Sequence, residues 1–117
     1  MTAGHLAAHL KLGAFQFAGS GDVEANLRAL EGGIEQASAA GVRLLVTQEC
    51  AVTGYPPVET PSAAGIDFAA AERAAARVQA LATLHGLFAV LGTVVPHQGG
   101  FRSSSRRTSG RARWRTT

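Results

Sequence analysis

The stretch Val42-Arg-Leu-Leu-Val-Thr-Gln-Glu49 decides the fold class of this chain. Its first six residues are largely apolar, which is typical of a short strand that is buried on both faces of a parallel sheet. The segment 51–61 that follows contains Gly54 and three prolines, too many for a helix or a strand, and so predicts a loop. We therefore expect Glu49 at the carboxyl end of a buried strand.

Amphipathic helices are predicted on both sides of this strand. Between residues 22 and 41 the apolar residues recur at intervals of four and three, which predicts one buried stripe of Val23, Leu27, Leu30, Ile34 and Ala37. Asp22 is a suitable N-cap, and Gly41 is a suitable residue after the helix end. A second, alanine-rich helix is predicted over residues 66–85 and is stopped by Gly86.

Two adjacent glycines interrupt the first predicted helix. Gly32 and Gly33 each cost about 1 kcal/mol relative to alanine inside a helix. We therefore expect the helix to pack closely against a sheet at this point.

Two further strands complete the pattern. Residues 10–17 mix apolar residues with β-formers, and residues 87–95 form an apolar run that is closed by Pro96. The order is β-α-β-loop-α-β, and helices that alternate with apolar strands imply parallel pairing. Residues 10–100 are thus predicted to form one α/β domain.

Both ends of the chain are expected to lie outside this domain. Residues 1–9 are predicted to be a flexible N-terminus. Residues 101–117 contain six arginines, no acidic residue and no Val, Ile or Leu, so they are predicted to be a disordered basic tail. The change of composition at Phe101 suggests the hypothesis that the tail is an out-of-frame reading of a longer gene.

Charge and composition exclude several classes of protein. Residues 1–100 carry five basic and eight acidic residues, so the net charge of +3 belongs to the tail alone. The single cysteine excludes a disulfide-stabilised secreted scaffold. No apolar run reaches the roughly 20 residues of a membrane helix. We therefore expect a cytoplasmic protein that binds neither membranes nor a specific nucleic acid.

Three weaker features carry alternative functions. His5 and His9 are four residues apart, but no third ligand is evident, so no metal site is predicted. The arginine-rich tail with Trp114 could bind phosphate backbones without sequence specificity. The third alternative is a non-catalytic interaction fragment, in which an exposed sheet face makes the chain associate with itself.

Glu49 is the strongest candidate for chemistry by its position. In open α/β sheets, ligands collect at the carboxyl ends of the strands. A carboxylate there would be partly desolvated and could act as a general base. The alternative is a glutamate that caps a helix or faces solvent.

Several segments together carry a resemblance to a known family. They are Lys11-Leu-Gly-Ala-Phe-Gln-Phe17, Gly21-Asp-Val-Glu-Ala-Asn-Leu27, Leu44-Leu-Val-Thr-Gln-Glu-Cys-Ala-Val-Thr-Gly-Tyr-Pro-Pro57 and Phe88-Ala-Val-Leu-Gly-Thr-Val-Val95. In order and spacing they resemble the start of the nitrilase, or carbon–nitrogen hydrolase, superfamily over about residues 10–100. The resemblance implies the N-terminal half of an α-β-β-α sandwich.

The resemblance also implies a hydrolase that acts on non-peptide carbon–nitrogen bonds. Its substrates would be small amides, nitriles or carbamoyl compounds, and its Glu-Lys-Cys triad works without a cofactor. Glu49 matches the family's general base, and Tyr55 matches a position that borders the active site. The Tyr-Pro-Pro loop is also similar to the glutaminase domains of NAD synthetases, an alternative within the enzyme class.

The chain departs from the family pattern at three residues. Gln48 stands where the family usually has proline. Lys11, the only lysine, lies on the first strand, whereas the family's lysine and cysteine lie on later strands. Cys50 neighbours Glu49, and consecutive residues of an extended chain point to opposite sides, so it is predicted to be a packing residue. We expect a chain that keeps only the glutamate and is catalytically incomplete.

Overall fold

Strand β2 (Leu44–Thr47) lies between two parallel neighbours, β1 (Leu12–Phe15) and β3 (Phe88–His97). The computed structural model describes residues 9–56, 58–97, 100–108 and 115–116. Leu44 is paired with Leu12 on one side and with Phe88 on the other. The α/β class and the β-α-β-α-β order are therefore confirmed, with β1 shorter and β3 longer than predicted.

Both predicted helices form, and an aspartate caps the start of each. Helix α1 (Val23–Ala39) begins after Asp22, whose side chain accepts hydrogen bonds from two amides of the first turn. Helix α2 (Phe68–His85) begins after Asp67, which accepts one such bond. α2 thus starts two residues later than predicted, because its cap is Asp67.

Glycines in the left-handed conformation end both helices. Gly41 follows α1 with a φ of 78°, and Gly86 caps α2 with a φ of 65°. Residues with a Cβ rarely adopt this conformation, so the sequence encodes both stops locally. Within the described residues, neither helix combines the length and the apolarity needed to cross a membrane.

The two helices pack on one face of the sheet. Their apolar residues form a single core with the inward residues of the strands, chiefly Leu30, Ile34, Val78, Leu81, Leu45, Ala89 and Leu91. At Gly33 an added Cβ would lie 2.5 Å from the ring of Phe15, so the predicted close packing is confirmed there. Gly32 is exposed, and an added Cβ would meet nothing within 4 Å.

The other face of the parallel strands has no helical layer. Leu12, Val46 and Phe88 lie on it with exposed fractions of 63%, 42% and 49%. They alternate along their strands with inward residues such as Leu45. The prediction that β2 is buried on both faces is therefore wrong for this chain. Both faces of β2 are apolar in sequence, but α1 and α2 cover only one.

The segment after residue 100 continues the sheet. Strand β4 (Gly100–Thr108) pairs antiparallel with β3, and β5 (Arg115–Thr116) pairs antiparallel with β4. The predicted disorder of residues 101–117 therefore does not hold for these strands. Backbone groups make the antiparallel ladder, so a strand can form without Val, Ile or Leu. The rest of the predicted flexible ends, residues 1–8, 109–114 and 117, lies outside the described residues.

Alanine substitutions at the two adjacent glycines are expected to have opposite effects. Gly32→Ala should raise the free energy of unfolding by about 0.5–1 kcal/mol, because the helix loses a flexible residue and nothing is crowded. Gly33→Ala should lower it by about 1–3 kcal/mol, because the new methyl group collides with Phe15. Urea unfolding followed by circular dichroism measures both values. A stabilised Gly33→Ala protein would contradict the packing of α1 on β1.

Candidate functional site

Glu49 lies just after β2, at the carboxyl end of the parallel strands, as predicted. It borders an open depression of about 350 Å³, whose lining consists of Ala14, Phe15, Gln16, Val46, Thr47, Gln48 and Glu49. Glu49 is exposed, so the predicted partial desolvation is wrong for this chain. The neighbouring face of the sheet is uncovered, and water therefore reaches the carboxylate.

Thr47 joins the end of β2 to β3 through its hydroxyl group. Its Oγ1 accepts a hydrogen bond from the Gly92 amide at 3.0 Å and donates to the Val90 carbonyl oxygen at 3.3 Å. The backbone pairing of these strands ends one residue earlier, at Val46 and Val90. The Thr47 side chain thus continues the link between β2 and β3 one residue beyond the last backbone pair.

Gln48 joins the same end of β2 to the segment that follows β1. Its Nε2 donates a hydrogen bond to the Phe17 carbonyl oxygen at 2.7 Å, and its Oε1 accepts one from the Phe17 amide at 2.8 Å. The last backbone pair on this side is Phe15 with Thr47. Thr47 and Gln48 therefore hold the chain on both sides immediately before Glu49.

The backbone passes very close to β3 directly after Gln48. A Cβ at Gly92 would collide with the Gln48 carbonyl oxygen and lie 2.9 Å from the Cys50 amide nitrogen. The Val52 amide donates a hydrogen bond to the Gly92 carbonyl oxygen at 3.2 Å. Cys50 has a φ of 55°, in the left-handed region that non-glycine residues seldom adopt. The segment that carries Glu49 therefore depends on the absence of a side chain at Gly92.

Asn26, a buried residue of α1, holds the start of the following loop. Its Nδ2 donates to the carbonyl oxygens of Ser20 at 2.8 Å and Val52 at 3.0 Å, and its Oδ1 accepts from the Ser20 amide at 3.0 Å. Asn26 is not among the residues that the sequence pattern predicted for the site. The available signal was its place one helical turn before Leu30, where a polar side chain on an apolar stripe indicates a buried hydrogen-bond partner.

Tyr55 lies in the loop after β2, and its side chain is exposed. Glu59 closes this loop, because its Oε1 accepts a hydrogen bond from the Tyr55 amide at 3.0 Å and its own amide donates to the Tyr55 carbonyl oxygen at 2.8 Å. Tyr55 is not among the described residues that line the depression at Glu49. The structure therefore does not bring the two predicted site residues into one cavity, and the role of Glu59 was not predicted.

Neither Lys11 nor Cys50 is arranged to act together with Glu49. Lys11 precedes β1 and Glu49 follows the parallel strand β2, so they lie at opposite ends of the sheet. The Lys11 Nζ donates a hydrogen bond to the Ala40 carbonyl oxygen at 2.6 Å. Cys50 is buried and the adjacent Glu49 is exposed, as expected for side chains on opposite sides of the chain.

The histidine pair and Trp114 lie mostly outside the described part of the chain. His5 and Trp114 are not described, and His9 is exposed. In the ranges that the structure describes, no three His, Cys, Asp or Glu side chains come together to hold a metal ion. Phosphate binding by the arginine-rich segment stays a prediction.

A scan against protein-family models matches residues 11–115 to the family described as carbon-nitrogen hydrolase. The match continues past residue 100, where the resemblance was expected to end, and it includes β4. A comparison with curated protein sequences gave no match.

Solved structures of an amidase from Nesterenkonia sp. AN1 share this fold. One of them has a TM-score of 0.78 and 21% sequence identity over 93% of this chain and 43% of the amidase chain. A mutant in complex with butyramide has a TM-score of 0.76 and 21% identity, over 92% and 41% of the two chains. A mutant with acrylamide added at its active site cysteine has a TM-score of 0.73 and 22% identity, over 86% and 40%. The chain therefore spans about two fifths of the length of these amidases.

Gly92→Ala is expected to displace the segment that carries Glu49. The new methyl group would occupy the space of the Gln48 carbonyl oxygen, so we expect a loss of about 1–3 kcal/mol in the free energy of unfolding. Amide chemical shifts at residues 48–50 should change as well. Gly65→Ala is the matched control, because an added Cβ there meets nothing within 4 Å. Unchanged shifts in a stable Gly92→Ala protein would contradict the close approach.

Proposed function

The chain belongs to the carbon-nitrogen hydrolase family, and from this we propose that it forms the glutamate-bearing part of an enzyme that hydrolyses non-peptide carbon–nitrogen bonds. Glu49 is the proposed general base. One observation carries the proposal: Glu49 stands at the carboxyl end of β2, the edge of a parallel sheet at which ligands bind.

The way in which Glu49 is held supports a role in proton transfer. A general base must come within about 2.6–3.2 Å of the group whose proton it takes, so its backbone has to be fixed. Hydrogen bonds from Thr47 and Gln48 and the close approach at Gly92 fix the chain around Glu49. Glu49 itself borders an open depression, so a substrate and a thiol can reach it.

The proposed reaction passes through a covalent intermediate. Glu49 takes the proton from a cysteine thiol, and the thiolate attacks the carbon of an amide. The carbon–nitrogen bond then breaks, the nitrogen takes a proton from the Glu49 carboxyl group and leaves as ammonia, and a thioester remains. Glu49 then deprotonates a water molecule, which hydrolyses the thioester and restores the thiol. A lysine stabilises the negative charge that develops on the substrate oxygen.

We propose that the thiol and the lysine come from outside these 117 residues. Cys50 is buried, and Lys11 lies at the other end of the sheet. The chain spans less than half of the amidase chains that share its fold. In this proposal the chain alone is catalytically incomplete. A reducing compartment such as the cytoplasm suits an enzyme whose nucleophile is a free thiol.

Small aliphatic amides are the proposed substrate class. Butyramide and acrylamide occur in the amidase structures that share the fold, and nitriles and carbamoyl compounds belong to the same chemistry. The mechanism uses only side chains, so we propose no cofactor. Glutamine is the alternative substrate, because the Tyr55-Pro-Pro57 segment is similar to the corresponding segment of glutaminase domains. Comparison of ammonia release from glutamine and from butyramide separates the two.

The uncovered face of the sheet supports a second, non-catalytic role in association. Leu12, Val46 and Phe88 form an apolar surface across the three parallel strands. Soluble monomers rarely leave such a surface open to water. We propose that a second sheet covers it in the complete hydrolase, and that a further copy of the chain covers it when the chain is alone.

The activity of Glu49 is tested in two steps. The 117-residue chain is expected to release no ammonia from acetamide, butyramide or glutamine above the buffer rate. In the longer polypeptide, obtained by reading the encoding DNA in every frame beyond codon 115, where the family match ends, Glu49→Gln should lower kcat by about 10²–10⁴-fold because proton transfer is lost. Glu35→Gln, at an exposed position of α1, is the matched control and should leave kcat unchanged.

Two kinetic outcomes would contradict this function. One is turnover by the 117-residue chain that Cys50→Ala abolishes, because the nucleophile would then be Cys50. The other is full activity of the longer polypeptide after Glu49→Gln. A locus that encodes no further lysine and cysteine, in this or another frame, would also refute the proposed triad.

Association is tested with polar substitutions on the uncovered face. Size-exclusion chromatography with light scattering across a concentration series should show self-association of the unmodified chain. The double variant Val46→Thr, Phe88→Thr should shift it towards monomer, because the apolar area is reduced without removing β-formers. Leu84→Thr is the control, since this residue of α2 is 76% exposed away from the face. A monomer at every concentration would contradict the association.

A further inference from the structure

Gln48 pairs with a single residue through both ends of its side-chain amide. A primary amide has a donor and an acceptor, as a backbone peptide group does. The Gln48 Nε2 donates to the Phe17 carbonyl oxygen at 2.7 Å, and its Oε1 accepts from the Phe17 amide at 2.8 Å. The side chain thus takes the place of a strand backbone next to Phe17.

This contact stands where the regular pairing of β2 stops. The β1–β2 ladder ends at Phe15 and Thr47, and the β2–β3 ladder ends at Val46 and Val90. Beyond these pairs the Thr47 hydroxyl bonds to β3 on one side, and the Gln48 amide bonds to Phe17 on the other. Side chains therefore replace the backbone ladder on both edges of β2.

The replacement is needed because the chain turns away from the sheet at this point. The Gln48 carbonyl oxygen lies against Gly92, and Cys50 is in the left-handed region. Glu49 sits between these two constraints, and its own side chain is exposed to solvent.

We propose that Gln48 is a positioning residue that fixes the direction in which Glu49 leaves β2, with Thr47 as the support on the opposite edge. The inference rests on the proposed function, in which Glu49 is the general base. A misplacement of about 1 Å of a catalytic group can cost about 100-fold in rate. The reciprocal pair with Phe17 limits rotation of the chain at Gln48 and so limits displacement of the Glu49 carboxylate.

The first test measures mobility in the 117-residue chain. Gln48→Met keeps the length of the side chain and removes both hydrogen bonds. We expect the Phe17 amide to exchange with solvent about tenfold faster, the change that loss of one hydrogen bond produces. The ¹⁵N order parameter of Glu49 should fall from about 0.85 in the unmodified chain to below about 0.6. Gln36→Met, at an exposed glutamine of α1, is the matched control and should change neither value.

A second variant separates the two hydrogen bonds. Gln48→Glu keeps an acceptor for the Phe17 amide but has no donor for the Phe17 carbonyl oxygen when it is ionised. The Phe17 amide should therefore exchange at a rate between those of the unmodified chain and of Gln48→Met, because its acceptor remains but a carboxylate oxygen now faces the Phe17 carbonyl oxygen, and Glu49 should be intermediate in mobility. Glu49 mobility equal to that of the unmodified chain in both variants would overturn the proposal, even if the melting temperature falls, because Gln48 would then only add stability.

The second test uses the longer polypeptide and its hydrolysis of butyramide. Positioning predicts that Gln48→Met lowers kcat by about 10–100-fold with KM unchanged, because substrate contacts are not altered. The proposal is overturned if Gln48→Met changes kcat and KM by the same factor. It is also overturned if Gln48→Met changes neither value. If Glu49 becomes mobile in the first test but Glu49→Gln does not affect hydrolysis, the proposed function fails and the catalytic role of Gln48 fails with it. In that case, increased mobility of Glu49 in Gln48→Met would still show that Gln48 restrains the backbone at Glu49.

Discussion

Strand β2 is paired on both edges but covered by helices on only one face, and this asymmetry governs the rest of the molecule. On the covered side, α1 approaches so closely that a Cβ added at Gly33 would lie 2.5 Å from the ring of Phe15. On the open side, water reaches Val46 and the carboxylate of Glu49. A layer that closed this side would remove water and strengthen electrostatic interactions at Glu49. The association and the chemistry proposed for this chain therefore involve the same uncovered face.

The parts of the fold that rest on local signals could be predicted from the sequence. Asp22 caps α1, and Gly86 ends α2, because each acts on the turn next to it. The parallel order of the strands followed from the alternation of helices and apolar runs. The location of Glu49 followed in turn, since it depends only on where β2 ends.

The features that depend on long-range contacts could not be predicted. The apolar side chain of Val46 indicates that this face of β2 is suited to burial, but it does not indicate whether another layer is present to cover the face. Residues 100–108 form a strand through backbone hydrogen bonds to β3. These bonds do not require apolar or β-branched side chains, so the composition of the segment did not indicate a strand. Gln48 differs from the residue the family usually has there, but its hydrogen bonds to Phe17 connect residues 31 positions apart, and no local pattern indicates them.

An apolar sheet face that is closed only in an assembly links folding to protein concentration. By mass action, a partner that binds the folded chain raises its apparent stability, and the gain disappears when the partner is scarce. If a partner covers the face as proposed, copies of the chain made in excess of that partner would spend more time unfolded and would be degraded first. The open face on β1, β2 and β3 would then set how much of this polypeptide a cell retains.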